Sequence, residues 1–271
     1  MINTMKINGV EIAFDDQGYA PDTPAIVLLN GWAHDHRAWN PLLPYLRERH
    51  RVIRVCWRGH GPDRTLVGDF GVAEQVSDTV GLLDALEVDT FVPLSHAHGG
   101  WVGLDMADQL GAERVPAILL LDLIMTPPPP EFAAGVAALQ NPATWQSARD
   151  ELLRSWLDGS TNATVLNHVR FEAGGHGYDM WARSGREVEK AYRTWGAPMG
   201  RMEKMSVHRP IRHVFSHPKV PEYDALHAEF AARNPWFSYT RLHGETHFPG
   251  LELPEHVAGE LFDLLGSVRA G

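Results

Sequence analysis

The sequence Leu94-Ser95-His96-Ala97-His98-Gly99-Gly100-Trp101 decides the fold of this 271-residue chain. It follows an apolar run at residues 90–94 and opens a helical pattern that extends from His98 to about Leu110. A short apolar run predicts a buried strand, and apolar residues at helical spacing predict a helix. The stretch is therefore predicted to be a sharp strand-to-helix turn built from small residues.

This turn has the spacing small, any, nucleophile, any, glycine, which is typical of the nucleophile elbow in the α/β-hydrolase fold. Ser95 occupies the small position, Ala97 the nucleophile position and Gly99 the closing glycine. Alanine has neither a side-chain lone pair nor an acidic proton, so Ala97 cannot attack a carbonyl carbon. The sequence thus predicts the scaffold of a hydrolase with a chemistry that needs no nucleophile at position 97.

Strand and helix patterns alternate on both sides of the turn. A hairpin is predicted at 6–14, further strands at 25–29, 52–56, 116–121, 210–215 and 236–242, and helices at about 39–49, 72–86, 222–233 and 254–268. Such alternation predicts an α/β fold with a mostly parallel sheet, right-handed crossovers and flanking helices. Ligands of such sheets bind outside the carboxyl ends of the strands.

The alternation breaks at four consecutive prolines, Pro127 to Pro130, which form a stiff extended connector. Residues 131–205 show helical patterns, recurrent aromatic residues and no convincing strand. The sequence therefore predicts three segments: a first part of the α/β-hydrolase core at 1–126, an inserted helical cap at 127–205, and a second part of the core at 206–271.

The composition and the apolar runs of the chain limit its expected partners and its expected location in the cell. The formal net charge of −10 argues against a nucleic-acid partner. No apolar run reaches the roughly 18 residues of a membrane span, and residues 1–8 lack the basic and apolar parts of a signal peptide. A cytoplasmic protein with no membrane partner is expected. The single cysteine, Cys56, excludes an intrachain disulfide and a thiolate metal cluster.

An acid and a base follow the elbow in the order found in α/β hydrolases. Asp122 follows the strand after the elbow helix, and His247 lies in the loop after the last predicted strand. A carboxylate that holds an imidazole in one tautomer makes it a positioned general base. We predict that Asp122 and His247 form a catalytic dyad, although singly each is compatible with a helix cap or a surface histidine.

The same fold supplies an anion hole from main-chain amides, here those of His98 and Trp32. Because main-chain amides do not depend on side-chain identity, alanine at position 97 leaves this hole intact. A site with a base and an anion hole, and without a nucleophile, can still deprotonate a substrate and stabilise the resulting anion.

Two histidine pairs, His34-x-His36 and His96-x-His98, raise the question of a metal. Both pairs fall in predicted turns, and no cysteine or carboxylate cluster accompanies them as a third ligand. We therefore predict no metal site and interpret His34 and His96 as polar contacts to a substrate. Hydrogen bonding within the loops is the alternative role for both.

Several stretches of the chain together resemble one known family, the cofactor-independent 3-hydroxy-4-oxoquinoline and 3-hydroxy-4-oxoquinaldine 2,4-dioxygenases, which include enzymes that cleave 2-alkyl-3-hydroxy-4-quinolone signals. The resemblance covers nearly the whole chain, and its most specific blocks surround the elbow and the loop after the first buried strand. The stretches are residues 31–37, 57–61, 95–101, 156–159, 177–179, 183–186, 209–213, 234–239 and 246–249.

The resemblance implies a function and its residues. His247, oriented by Asp122, takes the proton of the substrate 3-hydroxyl, and the anion reduces dioxygen directly, with no metal or other cofactor. The ring opens with loss of carbon monoxide and leaves an N-acylanthranilate. The family contacts carry over to Trp32, His34 and His96 around the anion, and to Trp156 in the cap.

One departure concerns the elbow, where family members often carry a serine whose hydroxyl can bond the substrate oxygen. Ala97 lacks that hydroxyl. Since the implied mechanism needs no nucleophile, we expect at most a modest loss of activity from it.

Two other functions stay open at this stage. A hydrolase of the same fold would need serine or aspartate at position 97, and a non-catalytic small-molecule receptor would not explain the acid and the histidine. The 2-substituent of the substrate could be hydrogen, methyl or a longer alkyl chain. Its pocket is predicted to be lined by the cap and by residues 123–126, whose modest side-chain volumes favour an alkyl chain. The oligomeric state is not predicted.

Overall fold

A computed structural model describes residues 2–62, 64 and 68–270. Its centre is one eight-stranded sheet. The strands are β1 (Asn3–Ile7), β2 (Val10–Gln17), β3 (Ala25–Leu29), β4 (Val52–Cys56), β5 (Phe91–His96), β6 (Ile118–Leu121), β7 (Ile211–Phe215) and β8 (Phe237–Arg241).

The sheet has the strand order β1-β2-β4-β3-β5-β6-β7-β8. The first two strands form the predicted hairpin, β2 pairs antiparallel with β4, and every later pairing is parallel. In the middle of the sheet, strands β3 to β6 are buried along their whole length. This explains their continuous apolar runs, because helices cover both faces of a parallel sheet.

The helices follow the predicted alternation. They are α1 (Leu43–Arg47), α2 (Val72–Ala85), α3 (Gly99–Arg114), α4 (Pro130–Leu139), α5 (Trp145–Leu157), α6 (Ala163–Phe171), α7 (Tyr178–Trp195), α8 (Pro198–Glu203), α9 (Pro221–Arg233), α10 (Pro249–Glu252) and α11 (Pro254–Ala270). None of the helices in the described part of the chain is both long enough and apolar enough to cross a membrane.

One predicted helix is wrong. The helix expected at 39–49 is instead a 3-10 turn, His36–Trp39, followed by the short helix α1. Two prolines explain the interruption, because Pro41 and Pro44 have no N–H to donate to a preceding carbonyl. Pro44 lies in the first turn of α1, where that loss costs nothing.

Helices α4 to α8 all lie between β6 and β7. Helices α7 and α8 join the main apolar core through Ala191, Tyr192 and Met202. A smaller cluster brings Trp181 and Leu139 against Ala33, a residue of the loop after β3. We retain as a prediction that 127–205 forms a cap distinct from the core segments 1–126 and 206–271.

Candidate active site

Three residues near the carboxyl ends of the central strands have left-handed backbone conformations. They are Ala33 after β3 (φ +64°), Ala97 after β5 (φ +47°) and Asp122 after β6 (φ +42°). Non-glycine residues rarely adopt positive φ, and such strain is concentrated at functional sites. The strained residues thus lie at the carboxyl edge of the sheet, which is also where ligands of parallel sheets bind.

The elbow is a tight turn because its neighbours leave no room for larger residues. The Ala97 N–H donates to the carbonyl of Leu121 at 2.9 Å. A Cβ on Gly99 would lie 2.6 Å from the carbonyl oxygens of Leu29 and Asn30, so only glycine fits there. The elbow therefore packs directly against the end of β3 and brings the loop that begins at Gly31 beside position 97.

His247 and Asp122 come together as predicted from the chain order. The Nδ1 of His247 lies 3.9 Å from an Oδ1 of Asp122, which is a charge contact and longer than a hydrogen bond. The main-chain N–H groups of Ser216 (3.1 Å) and His217 (2.8 Å) donate to the same buried carboxylate. These donors fix the position of the Asp122 carboxylate, while the imidazole of His247 remains partly exposed.

His96 ties the elbow strand to the loop that carries the base. Its Nε2 lies 2.8 Å from the carbonyl oxygen of His247. Since a carbonyl only accepts, Nε2 of His96 carries the proton and Nδ1 is a lone pair. Burial lowers the pKa of His96 to about 3, so the ring is neutral at physiological pH. Nε2 of His96 therefore positions His247, and only Nδ1 remains for the predicted contact with a substrate.

Trp156 reaches this site from α5. Its ring stacks on His247 with a centroid distance of 5.9 Å and an interplanar angle of 24°, and it lies 5.8 Å from the ring of His34. Phe248 stands edge-on between these groups, 5.6 Å from Trp156 and 5.3 Å from His34. Phe248 lies in the family-like stretch 246–249, but no local pattern indicates that it borders the site.

His34 meets a partner that the sequence did not indicate. Its Nδ1 lies 2.8 Å from Nε2 of His168, a residue of α6, and the two rings meet edge to edge, with centroids 4.9 Å apart and planes inclined by 17°. Both side chains are buried, which lowers the pKa of His34 well below its ordinary value and that of His168 to about 4. No described residue forms a hydrogen bond with Nε2 of His34. A lone histidine on a cap helix carries no local signal, so only the fold reveals this contact.

The predicted anion hole consists of two main-chain amides, those of Trp32 and His98. Among the described residues, none accepts a hydrogen bond from the main-chain N–H of Trp32 or of His98. His98 directly precedes α3, so its amide belongs to the positive end of the helix dipole. The ring of His98 packs against Trp32 at 4.7 Å, and its Nε2 lies 3.1 Å from Oε1 of Gln75. Burial lowers the pKa of His98 to about 3.

His60 supports the strained loop after β3. The N–H of Ala33 donates to Nε2 of His60 at 3.1 Å, and Nδ1 of His60 donates to the carbonyl of Arg58 at 2.9 Å. The ring is therefore neutral, in agreement with burial that lowers its pKa to about 3. His60 lies in the family-like stretch 57–61, but no local pattern indicates this role.

The histidine pairs considered as metal ligands separate in space. His36 turns away from the site, and its Nδ1 lies 3.4 Å from the buried Sγ of Cys56. Within residues 2–62, 64 and 68–270, no group of three or more histidine, cysteine or acidic side chains is arranged to hold a metal ion.

Comparison with known proteins assigns this geometry to a family. The profile of the Alpha/beta hydrolase family matches residues 26–260. A 2-heptyl-3-hydroxy-4(1H)-quinolone dioxygenase from Mycobacteroides abscessus is 64% identical over 269 residues, which covers 99% of this chain and 100% of the relative. The chain belongs to the α/β-hydrolase family and, within it, to the quinolone dioxygenases.

Other quinolone dioxygenases match over the same length. The 1H-3-hydroxy-4-oxoquinoline 2,4-dioxygenase of Pseudomonas putida is 36% identical over 264 residues, 97% of this chain and 99% of that protein. A solved structure of an AqdC variant with its substrate, concerned with ring cleavage of the Pseudomonas quinolone signal, has a TM-score of 0.96 and 63% identity, with coverage of 98% and 100%. The predicted fold and family are confirmed.

Proposed function

We propose that this quinolone dioxygenase cleaves the heterocyclic ring of a 2-alkyl-3-hydroxy-4(1H)-quinolone with dioxygen, and releases carbon monoxide and an N-acylanthranilate. The observation that carries the proposal is the placement of His247 beside Asp122 at an elbow whose nucleophile position holds Ala97. A base and an acid are present where a hydrolase would have them, and the group that would attack a carbonyl is replaced by a methyl.

The first step is a proton transfer. His247 takes the proton of the substrate 3-hydroxyl on Nε2, and the imidazolium that forms is stabilised by the carboxylate of Asp122 at 3.9 Å from Nδ1. Such contacts often tighten when the substrate binds. The contact of His96 with the carbonyl of His247 keeps the base beside the elbow during this step.

The substrate anion then needs compensation for its charge. The amides of Trp32 and His98, which have no acceptor among the described residues, supply main-chain donors, and the positive end of α3 adds a favourable dipole. In a site bordered by Trp156 and Phe248 these interactions act in a low dielectric, where they are stronger than in water. The site thus favours the anion over the neutral hydroxyl.

The anion is itself the reductant of dioxygen, so we propose that no metal or other cofactor takes part. A peroxide forms at carbon 2 and its outer oxygen closes onto carbon 4. The ring then opens: the O–O bond breaks, the bonds of carbon 3 to its neighbours break, and carbon 3 leaves as carbon monoxide. Both atoms of dioxygen end in the product, one in the amide carbonyl and one in the carboxylate.

For the substrate we propose a 2-alkyl group of about heptyl length. The relative that is 64% identical is named for the 2-heptyl compound, as is one that is 55% identical. The predicted pocket wall after Asp122 is held by two tyrosine hydroxyls. Tyr223 donates to the carbonyl of Leu123 (3.1 Å) and accepts from the N–H of Met125 (2.9 Å), while Tyr192 of α7 donates to the carbonyl of Ile124 (2.8 Å).

The test is incubation of purified protein, with its metal and flavin content measured, with 3-hydroxy-4-quinolones of increasing 2-alkyl length, with and without air. Loss of ring absorbance, oxygen consumption and carbon monoxide release are followed together. We expect equimolar consumption of oxygen and release of carbon monoxide, fastest near the heptyl compound. Oxygen consumption that requires an added metal would contradict the cofactor-free mechanism, and none with any member of the series would contradict the function.

A further inference from the structure

The contact between His34 and His168 contains a choice of proton position. Their ring nitrogens are 2.8 Å apart, and both side chains are buried. Two bare lone pairs or two N–H groups at this distance would repel, so one proton lies between the rings. Two arrangements are then possible for a pair of neutral imidazoles, each of which carries one proton.

The two arrangements differ at Nε2 of His34, which has no hydrogen-bond partner among the described residues. If His34 donates from Nδ1, then its Nε2 is a lone pair. If His168 donates instead, Nδ1 of His34 accepts and the proton of His34 stays on Nε2. Only the second arrangement lets His34 donate a hydrogen bond into the site that it shares with Trp156 and Phe248.

The other imidazole on this edge cannot supply that donor. His96 uses its only proton in the bond to the carbonyl of His247, and its Nδ1 is a lone pair. His247 itself must arrive with a free lone pair if it is to act as the base. Apart from the imidazolium that His247 becomes when it takes the substrate proton, His34 can give the anion an imidazole donor only if its own proton stays on Nε2.

We propose that His168 is a positioning residue whose Nε2–H donates to Nδ1 of His34 and thereby holds the proton of His34 on Nε2, where it donates to the substrate anion. This inference rests on the proposed dioxygenase function. It also gives α6 a role, because His34 is held as a donor only while that helix is packed against the core. The contacts that hold α6 include Glu172, just after the helix, which pairs with Arg37 and Arg64 of the core.

The first experiment reads the proton directly. Long-range ¹H–¹⁵N spectra of protein labelled with ¹⁵N-histidine distinguish the two tautomers, and the His34 signals are identified by their loss in His34→Gln. We expect His34 protonated on Nε2 in the wild type and in His168→Gln, whose amide can still donate, and a mixture of tautomers in His168→Leu. Protonation of His34 on Nδ1 in the wild type would overturn the proposal, whatever the activity.

The second experiment reads the consequence. Without oxygen, the absorbance of a bound 2-alkyl-3-hydroxy-4-quinolone reports the pKa of its 3-hydroxyl. In His168→Leu we expect that pKa to rise by about one unit and kcat to fall about tenfold with KM within about threefold, as for a weakened hydrogen bond to a charged group. His168→Gln should restore both. An unchanged pKa in a folded His168→Leu would contradict the inference.

A matched control is His176→Leu, which removes another buried imidazole of the cap segment. His176 packs against His60 at 5.7 Å, and no ring contact joins it to His34 among the described residues. We expect the pKa of the bound quinolone to be unchanged in this variant. If even the wild type fails to ionise the quinolone, the proposed function fails, while the tautomer spectra still decide the role of His168.

Discussion

Two buried pairs of histidines, each joined through a ring nitrogen, invite comparison. His34 and His168 lie between the cap region and the carboxyl edge of the sheet, whereas His213 and His227 lie between β7 and α9. In both pairs the ring nitrogens are 2.8 Å apart. The centroids are 4.9 and 5.0 Å apart, and the interplanar angles are 17° and 20°.

The pairs differ in where their hydrogen bonds end. Nδ1 of His227 donates to the carbonyl of Tyr223 at 2.7 Å, so its Nε2 must accept from His213. The other nitrogen of His213 is buried and has no partner in the described part of the chain. The backbone therefore determines every proton of this pair. Neither outer nitrogen of the pair formed by His34 and His168 bonds to a described residue. The same ring geometry thus has its proton positions set by the backbone in one pair. In the other pair, the outer nitrogens are available to a ligand.

Acid is expected to give the largest effect, and it acts on both regions, because burial also lowers the pKa of His213 well below its ordinary value. Burial lowers the pKa of His60, His96 and His98 from 6.5 to about 3, and that of His168 to about 4. Between pH 6.5 and these values the unfolded chain binds more protons than the folded one, so stability is complete above pH 6.5 and falls as the pH decreases. Below pH 6.5, each of these histidines lowers the free energy of unfolding by up to about 1.4 kcal/mol for each pH unit.

Urea unfolding at pH 7.5, 6 and 5 measures this loss. We expect a decrease of several kcal/mol in the free energy of unfolding between pH 6.5 and 5, as an order of magnitude. A free energy of unfolding that stays constant over this range would show that the buried histidines are protonated in the folded state.

The base gives the next largest effect and sharpens the contrast between the two regions. We expect His247→Ala to lower kcat at least about 100-fold, since general-base catalysis contributes about 10²–10⁴-fold. Asp122→Ala should cost somewhat less, because it removes the orienting charge and keeps the imidazole. Steady-state oxygen consumption measures both, and near-normal turnover of His247→Ala would remove its proposed role.

Exchanging one histidine from each pair tests the comparison itself. His34→Leu should lower kcat/KM by about 10- to 100-fold, because the anion loses a donor. His213→Leu should leave kcat/KM within about twofold but lower the free energy of unfolding by about 1–3 kcal/mol, because Nε2 of His227 loses its donor. Kinetics and urea unfolding are measured on both variants, and a kinetic loss in His213→Leu as large as that in His34→Leu would break the distinction.

The smallest effect is expected at the elbow. Ala97→Ser restores a hydroxyl beside Gly31, and we expect the rate of ring cleavage to change by no more than about threefold because the mechanism needs no nucleophile. An activated ester tests the hydrolase alternative in the same two proteins. A burst of product from the protein with Ala97 would contradict the dioxygenase chemistry.

The sequence predicted those features that depend on local patterns. Buried runs and helical spacing located the strands, and the elbow spacing predicted the turn at Ala97. The chain order placed Asp122 and His247 at one edge, where the structure also has them. The helix prediction at 39–49 was wrong because it did not account for the missing N–H groups of Pro41 and Pro44.

Contacts between distant segments had no such signal. The partners of His34 and of Ala33 are His168 and His60, which lie 134 and 27 residues away along the chain. Their roles depend on how the helices between β6 and β7 and the loop after β4 fold back over the sheet edge. Nothing in the local sequence around His168 distinguishes it from a surface histidine.

The left-handed backbone at Ala33, Ala97 and Asp122 restricts which amino acids these positions tolerate. Valine, isoleucine and threonine are strongly disfavoured at positive φ, whereas glycine, asparagine and aspartate are tolerated. A saturation library at position 97 should therefore return folded clones only from a narrow set of side chains. The evolutionary routes between a hydrolase and a dioxygenase on this scaffold pass through that narrow set.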